Sequence, residues 1–243
     1  MRYLFVDCRW ELGRPGAGRE AYLAGHVPGA SFLDVEADLA SPPARPGGRH
    51  PLPDRAAFER AAGAAGIGPG VFVVAYDSGA DGGAARLWWL LRHFGHEEVA
   101  VLYGGIGSWI GPLATGEEEI ERSTFTAHER EDDVVVAEEL ADRLGDPGFV
   151  VVDARARERY RGDVEPIDPV AGHIPGAVNV PFAADAALPK DVLQADEIVV
   201  YCGSGITACV DLLALACAGR PDARLYPGSW SDWVSCGLPV ETG

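Results

Sequence analysis

The sequence has 243 residues, of which 47% are hydrophobic and 23% charged, and its formal net charge is −17. The apolar fraction excludes a disordered chain, and this length allows one large domain or two small ones. The strong negative charge argues against nonspecific binding to nucleic acid or to an anionic membrane surface.

Cysteine usage and the absence of long apolar runs indicate the compartment. The five cysteines are odd in number and lack CxxC spacing, which argues against a disulfide framework or a zinc site. No apolar run approaches the ~20 residues of a membrane helix, and the apolar stretch at the start is too short for a signal peptide. We therefore expect a cytoplasmic protein with no cofactor and no bound metal.

Short β-branched runs alternate with helical stretches along the first half of the chain, which is typical of a parallel α/β sheet. Predicted strands cover roughly residues 3–7, 31–34, 71–76 and 99–103, and predicted helices cover 54–65 and 83–94. The Pro-rich residues 41–53 cannot form a regular element because proline fixes φ and lacks a backbone donor. We expect a long loop here, and such loops often carry function.

An acidic stretch separates the two halves. Residues 111–116 are rich in Pro and Gly and precede a run of acidic side chains, which together predict a solvated linker. Beyond it, predicted strands cover roughly residues 149–153, 178–180, 197–201 and 223–226, and predicted helices cover 137–144 and 206–218. This pattern predicts a first domain over 1–115, a linker over 116–133 and a second domain over 134–243.

The two halves resemble each other in sequence. Four segments of the first half match four of the second in the same order: 4–9 with 150–155, 25–30 with 172–177, 71–77 with 197–202, and 102–109 with 225–233. Collinear matches of this kind indicate duplication. We therefore predict an α/β fold with two tandem domains, each a small, mostly parallel sheet flanked by helices.

Cys202 lies where a predicted parallel strand ends and a helix begins, in the sequence CGSGIT. The carboxyl edge of such a sheet is where ligands bind. Gly203 and Gly205 allow a tight loop whose N–H groups turn inward and form an anion-binding nest at the helix N-terminus. A nest of this kind favours the thiolate, which is the nucleophilic form of cysteine. Asp77 occupies the equivalent position in the first half, which we therefore expect to be catalytically silent.

These features together resemble the tandem-domain rhodanese-type sulfurtransferases. The resemblance lies in the two GHxPGA segments, the Asp-x-Arg strand ends and the CGSGITA loop that begins at Cys202. Within the family, this loop is similar to that of the 3-mercaptopyruvate subgroup, since thiosulfate-preferring members carry Arg and Lys after the cysteine. The resemblance implies that Cys202 takes sulfur from a small-molecule donor as a persulfide and passes it to a thiol or cyanide acceptor. A small redox protein is one candidate for the acceptor.

The resemblance also implies further site residues. A substrate-binding arginine of the family maps onto Arg159, whereas a second arginine, expected nine residues later, is replaced by Asp168. A Ser-His-acid relay proposed for the 3-mercaptopyruvate subgroup maps onto Ser204, His50 and Glu36, where an aspartate is usual. The loop residues expected to contact the substrate are Gly203, Gly205, Ile206 and Thr207.

Two other functions stay open. One is thiosulfate:cyanide sulfur transfer, and the other is a non-catalytic rhodanese-like module in which Cys202 senses redox state or packs passively. The histidines of the two GHxPGA turns, His26 and His173, are expected to make structural hydrogen bonds. Arg9 and Arg155, which follow the strand-end aspartates, are also expected to be structural.

Overall fold

The chain folds into two compact units. The computed structural model describes residues 1–79, 81–182 and 188–243. The first unit comprises Met1–Ser41 and Leu52–Arg130, and the second comprises Pro42–Pro51 and Glu131–Gly243. Residues 42–51 of the Pro-rich loop therefore belong to the second unit, while the predicted boundaries near 115 and 134 stay a prediction.

The first unit contains a four-stranded parallel sheet in the order β2-β1-β3-β4. Its strands are β1 (Arg2–Asp7), β2 (Ser31–Phe32), β3 (Val71–Tyr76) and β4 (Val99–Val101), and its helices are α1 (Ala17–Ala24), α2 (Arg55–Ala64) and α3 (Gly83–His93). A short 3-10 helix covers Gly105–Ser108. The start of α2 follows from its sequence, because the Asp54 carboxylate accepts hydrogen bonds from the amides of Ala56 and Ala57.

The second unit repeats this topology with a parallel sheet in the order β6-β5-β7-β8. Its strands are β5 (Phe149–Asp153), β6 (Val178–Asn179), β7 (Glu197–Tyr201) and β8 (Arg224–Leu225). Its helices are α4 (Ala137–Asp142), α5 (Arg157–Arg161), α6 (Lys190–Leu193), α7 (Ala208–Cys217) and α8 (Ser229–Ser235).

The core of the second unit positions the carboxyl ends of its strands. Val151 and Val199 of the two central strands pack with Trp230 and Trp233 of α8, and all four side chains are buried. Burial of side chains this large is the main stabilising contribution to such a core. Parallel pairing sets Asp153 beside Tyr201, so that Cys202, the next residue, emerges at the sheet edge.

The predicted fold class is confirmed: each unit is a small parallel sheet with flanking helices. All eight predicted strands form, but the edge strands β2, β4, β6 and β8 are shorter than predicted. Four helices were not predicted, namely α1, α5, α6 and α8, because segments of four to eight residues show too little of the helical period.

The acidic segment after residue 116 lies against the first unit over part of its length. Phe125 and Ala127 are buried, and the amide of Ser123 donates to the carbonyl of Gly63 at 2.9 Å. Its acidic side chains are therefore interspersed with residues that anchor the backbone. Among the described residues, no helix combines the length and apolarity that crossing a membrane requires.

Candidate active site

Cys202 is held at the end of β7 by backbone contacts on both sides. Its amide donates to Ser229 Oγ at 3.1 Å, and its carbonyl accepts from the amide of Trp230 at 3.0 Å. The residue is only 2% exposed. The sulfur therefore has a fixed position at the carboxyl edge of the sheet, with little contact with bulk water.

The loop after Cys202 turns a backbone donor toward the sulfur. The amide of Gly205 lies 3.2 Å from Cys202 Sγ, in hydrogen-bonding geometry. Gly205 has φ +81°, and a Cβ at this position would lie 2.5 Å from the carbonyl oxygen of Pro227. Glycine is therefore required both by the left-handed backbone and by the close approach of a neighbouring chain segment. The sulfur therefore has a backbone hydrogen-bond donor in a fixed position.

Ile206 and Thr207 connect this loop to α7. Ile206 is buried, and Thr207 precedes the first residue of the helix. Their carbonyl groups accept the amides of Cys209 and Val210 at 3.1 and 3.0 Å, which fixes the loop to the first turn of the helix. Contact of Ile206 and Thr207 with substrate stays a prediction.

Ser204 and His50 form a buried polar pair in the second unit. His50 Nδ1 lies 2.7 Å from Ser204 Oγ, and both residues are less than 9% exposed. The segment that carries His50 is fixed to α8: the amide of Gly47 donates to Asp232 Oδ1 at 2.7 Å, and that of Arg49 donates to Ser231 Oγ at 3.1 Å. The structure therefore places the predicted serine and histidine together, two residues beyond Cys202.

Glu36, the third predicted member of the relay, lies in the first unit. Its side chain is exposed, and its amide donates to Asp34 Oδ1 at 2.9 Å within a turn. Its predicted role beside His50 stays a prediction.

Arg159 lies on α5 with its guanidinium group directed at two carboxylates. Its Nε and Nη2 donate to Glu165 at 2.8–3.1 Å, and Nη2 also donates to Asp168 Oδ2 at 3.3 Å. Arg157 and Arg161, on the same helix, are exposed. Of the three arginines on α5, Arg159 is thus the one with hydrogen bonds to these buried carboxylates among the described residues.

The two carboxylates beside Arg159 differ in their electrostatic surroundings. Burial would raise the pKa of Glu165, but the amides of Asp168 and Ile167 and the Arg159 guanidinium outweigh it and hold the pKa below its usual value. For Asp168, burial dominates and raises the pKa, although the Arg49 guanidinium opposes this. Glu165 is therefore the firmly ionised partner of Arg159.

Three residues of the site were missed by the sequence analysis. Arg49 forms an ion pair with Asp168, and Asp232 holds the His50 segment through Gly47. Ser229 has φ 54°, an uncommon value for a residue with a side chain, and its hydroxyl accepts the Cys202 amide. Of these three residues, only Arg49 could have been identified from the sequence, because it adjoins His50 in a loop that was expected to carry function.

The equivalent site in the first unit is filled by its own carboxylate. Asp77 follows β3 as Cys202 follows β7, and its two oxygens accept the amides of Gly79 at 2.7 Å and Ala84 at 3.1 Å. The two amides are therefore already hydrogen-bonded to Asp77. A carboxylate also cannot replace a cysteine thiolate as the nucleophile. Nearby Cys8 is buried, and desolvation together with Asp7, Asp77 and Asp81 raises the pKa of its thiol well above the usual value.

The strand-end pairs and turn histidines have structural roles. Asp153 accepts from Arg155 Nη2 at 2.6 Å and from the Tyr201 hydroxyl at 2.6 Å, all within the protein interior. His26 and His173 place Nδ1 2.8 Å from the carbonyl groups of Tyr22 and Tyr160, respectively. Among the described residues, no group of three or more His, Cys, Asp and Glu side chains is arranged to hold a metal ion.

Both halves of the chain match the same family. The model described as "Rhodanese-like domain" matches residues 2–111 and 136–236, which together cover most of the sequence. The duplicated fold and the cysteine loop at the end of β7 agree with this match. The chain therefore belongs to the rhodanese-like family.

Relatives along nearly the full length indicate the class of enzyme. A probable 3-mercaptopyruvate sulfurtransferase of Pseudomonas aeruginosa is 43% identical over 99% of this chain and 92% of its own. A putative thiosulfate sulfurtransferase of Mycobacterium tuberculosis is 41% identical over 95% of this chain and 87% of its own. The crystal structure of a 3-mercaptopyruvate sulfotransferase from Escherichia coli has TM-score 0.76 and 32% identity, covering 94% of this chain and 93% of that one. The protein is thus an enzyme of the sulfurtransferase class.

Proposed function

We propose that the protein transfers sulfur from 3-mercaptopyruvate, through a persulfide on Cys202, to a thiol or cyanide acceptor. The observation that carries the proposal is the hydrogen bond from the Gly205 amide to Cys202 Sγ at 3.2 Å. This contact supports the proposal, because a buried sulfur held at the sheet edge beside a backbone donor is placed as a nucleophile requires.

In the first half-reaction, the Cys202 thiolate attacks the thiol sulfur of 3-mercaptopyruvate. The new S–S bond forms as the C–S bond breaks, and the electron pair of that bond passes to the departing pyruvate enolate. Uptake of one proton at the enolate carbon completes pyruvate, and the thiol hydrogen stays on the terminal sulfur of the persulfide. The backbone donor of Gly205 stabilises the attacking sulfur before the bond forms.

Ser204 and His50 provide the route for that proton. The Ser204 hydroxyl is two residues from the nucleophile, and His50 Nδ1 lies 2.7 Å from its oxygen. A proton given up by the hydroxyl can be replaced from the imidazole, which is the arrangement that general acid–base catalysis requires. By resemblance to the family, Glu36 is proposed as the acidic member of this relay.

Arg159 is proposed to bind the carboxylate of the donor. Its guanidinium group lies beside the loop, since a Cβ on Gly203 would be 3.5 Å from Arg159 Nη1. In the second half-reaction, an acceptor thiolate attacks the terminal sulfur of the persulfide, and the Cys202 thiolate is the leaving group. Because the donor product leaves before the acceptor reacts, the kinetics are expected to be ping-pong.

Intact-mass measurement tests the proposal directly. After incubation with 3-mercaptopyruvate and removal of excess donor, the protein is expected to gain the mass of one sulfur atom and to release pyruvate in equal amount. Cys202→Ser is expected to show neither change, whereas Cys217→Ser, at an exposed cysteine, is expected to behave as the wild type. An unchanged mass of the wild-type protein would reject the mechanism.

Thiosulfate is the second candidate donor. The Mycobacterium tuberculosis relative named for thiosulfate is nearly as similar as the one named for 3-mercaptopyruvate. Gly203 and Ser204 favour 3-mercaptopyruvate by resemblance, because thiosulfate-preferring members of the family carry Arg and Lys after the cysteine. A comparison of kcat/KM for the two donors distinguishes them. We further propose that the enzyme works in the cytoplasm, where reduced thiols are available as acceptors.

A further inference from the structure

One face of the sheet in the first unit carries exposed apolar side chains. Tyr3 of β1 is paired in the parallel ladder with Phe72 of β3, and Phe5 is paired with Val74, so the four side chains share a face. None of the four is fully buried, and the rings of Tyr3 and Phe72 lie 5.4 Å apart. Trp109 packs edge-on against Phe5, toward the carboxyl edge of the sheet. The remainder, here called the Tyr3–Phe72 face, is an apolar surface in contact with solvent.

The second unit shows what covers the equivalent face. The sequence repeat that aligns 4–9 with 150–155 places Phe149 at the position of Tyr3. Phe149 is 9% exposed, whereas Tyr3 is 67% exposed. The difference comes from α4, whose Leu140 is buried in the same core cluster as Phe149 and Val151. In the described part of the first unit the helices are α1, α2 and α3, which all follow β1, whereas α4 precedes β5.

The edge of the same sheet is open at β4. This strand is the last in the sheet order, and the amide of Leu102 donates to the carbonyl of Ala75 at 2.9 Å. Because successive residues of a strand direct their backbone groups to opposite sides, the amide and carbonyl of Val101 point away from β3. Among the described residues, no hydrogen bond reaches either group from outside β3. Val101 therefore presents one donor and one acceptor to a further strand.

In the second unit the equivalent edge is filled. Leu225 of β8 corresponds to Val101 of β4 in the two ladders. The Leu225 amide donates to the carbonyl of Asp133 at 2.9 Å, and the Leu225 carbonyl accepts from the amide of Val135 at 2.8 Å. The chain then continues directly into α4. A single segment, residues 133–144, thus occupies both the edge and the face in the second unit, and both places are open in the first.

Charge distinguishes between the possible occupants of this surface. The net charge of the chain is −17, so two copies repel each other, whereas a basic segment is attracted. Glu97 and Glu98, which directly precede β4, are exposed beside the open edge. Arg2, at the start of β1, already donates to the carbonyl of Gly66 at 2.8 Å. The surroundings of the surface therefore favour a basic partner over a second copy of the chain.

We propose that the Tyr3–Phe72 face and the β4 edge together bind a segment of a basic partner protein, in which a short extended stretch is followed by an amphipathic helix. The extended stretch pairs with Val101 as residues 133–135 pair with Leu225. The apolar side of the helix packs on the Tyr3–Phe72 face as α4 packs on Phe149, and its outward side carries Lys and Arg. Strand addition at a sheet edge and a helix on an apolar surface are both common modes of peptide recognition. This binding is independent of the chemistry at Cys202.

The probe is a fluorescein-labelled peptide with the sequence of residues 131–145, which fills the equivalent surface of the second unit. It carries Glu131→Lys, Asp132→Lys, Glu138→Lys and Asp142→Lys, at positions that are exposed in the second unit. Fluorescence anisotropy with the full-length protein is expected to show saturable one-to-one binding, about ten-fold tighter than that of the unsubstituted acidic peptide. No saturable binding of the lysine peptide, or equal affinity of the two peptides, would overturn the proposal.

Variants of the face locate the bound peptide. Tyr3→Ser and Phe72→Ser are each expected to weaken binding by about ten-fold, because apolar contacts with the helix are lost. Leu12→Ser is the matched control, since Leu12 is also an exposed apolar residue of the first unit but lies in the turn after β1. If Phe72→Ser does not fold, Tyr3→Ser still decides, because its side chain is mostly exposed. Equal affinity of Tyr3→Ser and Leu12→Ser would contradict binding at this face.

Backbone methylation of the peptide tests the strand pairing without changing the protein. N-methylation at position 135 removes the amide that would donate to the Val101 carbonyl, and it is expected to weaken binding about three- to ten-fold. N-methylation at position 134, whose amide points away from the edge, is the control and should have little effect. Equal affinities of the two methylated peptides would contradict pairing at β4. In sedimentation, a dimer of the wild type that Tyr3→Ser abolishes would overturn the proposal in favour of a second copy.

Discussion

His50 and Ser204 are 154 positions apart in the sequence, yet the imidazole Nδ1 and the serine Oγ lie 2.7 Å apart in the second unit. The contact exists because the Pro42–Pro51 segment packs with the second unit, where Asp232 and Ser231 of α8 hold its backbone. A loop encoded within the first half of the sequence thus belongs to the second unit and brings His50 to Ser204.

This pair is expected to matter for 3-mercaptopyruvate more than for thiosulfate. His50→Asn and Ser204→Ala should each lower kcat with 3-mercaptopyruvate by about 10²-fold or more, the usual contribution of general acid–base catalysis. Thiosulfate releases sulfite, which needs no proton on carbon, so its turnover should fall much less. The double variant should be no slower than the worse single variant, because the two residues act as a unit.

Matched kinetics with both donors check this prediction. His128→Asn provides the control, since this histidine is exposed and lies in the first unit. Equal losses with the two donors would show that His50 and Ser204 support the structure of the loop rather than proton transfer.

Gly205 is expected to be the least replaceable residue of the Cys202 loop. Gly205→Ala must adopt φ +81° and bring its Cβ to 2.5 Å from the Pro227 carbonyl oxygen, so the loop has to move and the amide leaves the sulfur. Gly219→Ala is the matched control, with φ +90° and no atom within 4 Å of the added Cβ. Both variants carry the left-handed strain of about 1–2 kcal/mol, but only Gly205→Ala adds a steric clash.

Persulfide formation and thermal unfolding distinguish these two glycine variants. Gly205→Ala should abolish the mass gain after donor treatment, whereas Gly219→Ala should lower the unfolding temperature only slightly and retain the persulfide. A normal yield of persulfide in Gly205→Ala would contradict the role assigned to the backbone donor.

The sequence was sufficient for the topology and for the place of Cys202 at the end of a strand, because both are encoded locally. The strands that end at Asp153 and Tyr201 are continuous apolar runs. The glycines after Cys202 predict a tight loop at the carboxyl edge of the sheet, where ligands bind. The predicted pairing of Ser204 with His50 came from resemblance rather than from any pattern in the chain. No periodicity relates residues that far apart.

Arg49 shows why the rest of the site could not be predicted. Its position beside Asp168 depends on where the Pro42–Pro51 segment packs, and Pro- and Gly-rich loops carry no period that indicates their path. The sequence analysis identified Asp168 as a departure from the family pattern, but its ion pair with Arg49 is a long-range contact between two irregular segments. Such contacts follow from tertiary packing alone.

The carboxylate of Asp77 is expected to stabilise the loop that follows β3 in the first unit. Asp77→Ala should destabilise the protein by about 1–3 kcal/mol, because the amides of Gly79 and Ala84 lose their acceptor. Asp77→Asn, which retains one carbonyl acceptor, should lose less. Chemical denaturation of the three proteins measures the difference, and equal stability would show that these hydrogen bonds are replaced by water.

Replacing Asp77 with cysteine tests the silence of the first unit more directly. In a Cys202→Ser background, Asp77→Cys should form no persulfide with 3-mercaptopyruvate, because the carboxylate of Asp81 lies in the same loop, where its side chain is paired with Ser78. Burial, with a contribution from Asp77, raises the pKa of Asp81 to about 7 in the wild type, so the test is made above this pH, where the ionised carboxylate disfavours both a thiolate and an anionic donor. A mass gain of one sulfur would overturn this account of the loop.

Asp211 is expected to make the stability of the protein depend on pH. It lies on α7 in the interior, neither carboxyl oxygen has a hydrogen-bond partner among the described residues, and desolvation with a contribution from Asp153 raises its pKa to about 8. Because the folded state binds this proton more tightly than an unfolded chain of pKa about 3.9, its contribution is fully present at low pH. It is lost progressively as the pH rises, until both states are ionised above the folded pKa.

Asp211→Asn removes the titration while preserving the shape of the side chain. The free energy of unfolding of Asp211→Asn minus that of the wild type should therefore increase from about pH 5 to about pH 8 and then level off. Asp163→Asn, at an exposed aspartate, is the control and should show a flat difference over the same range. Urea denaturation at several pH values measures both differences. A flat difference for Asp211→Asn would mean that this carboxyl group is ionised in the folded protein and has found a partner on α7 or β5.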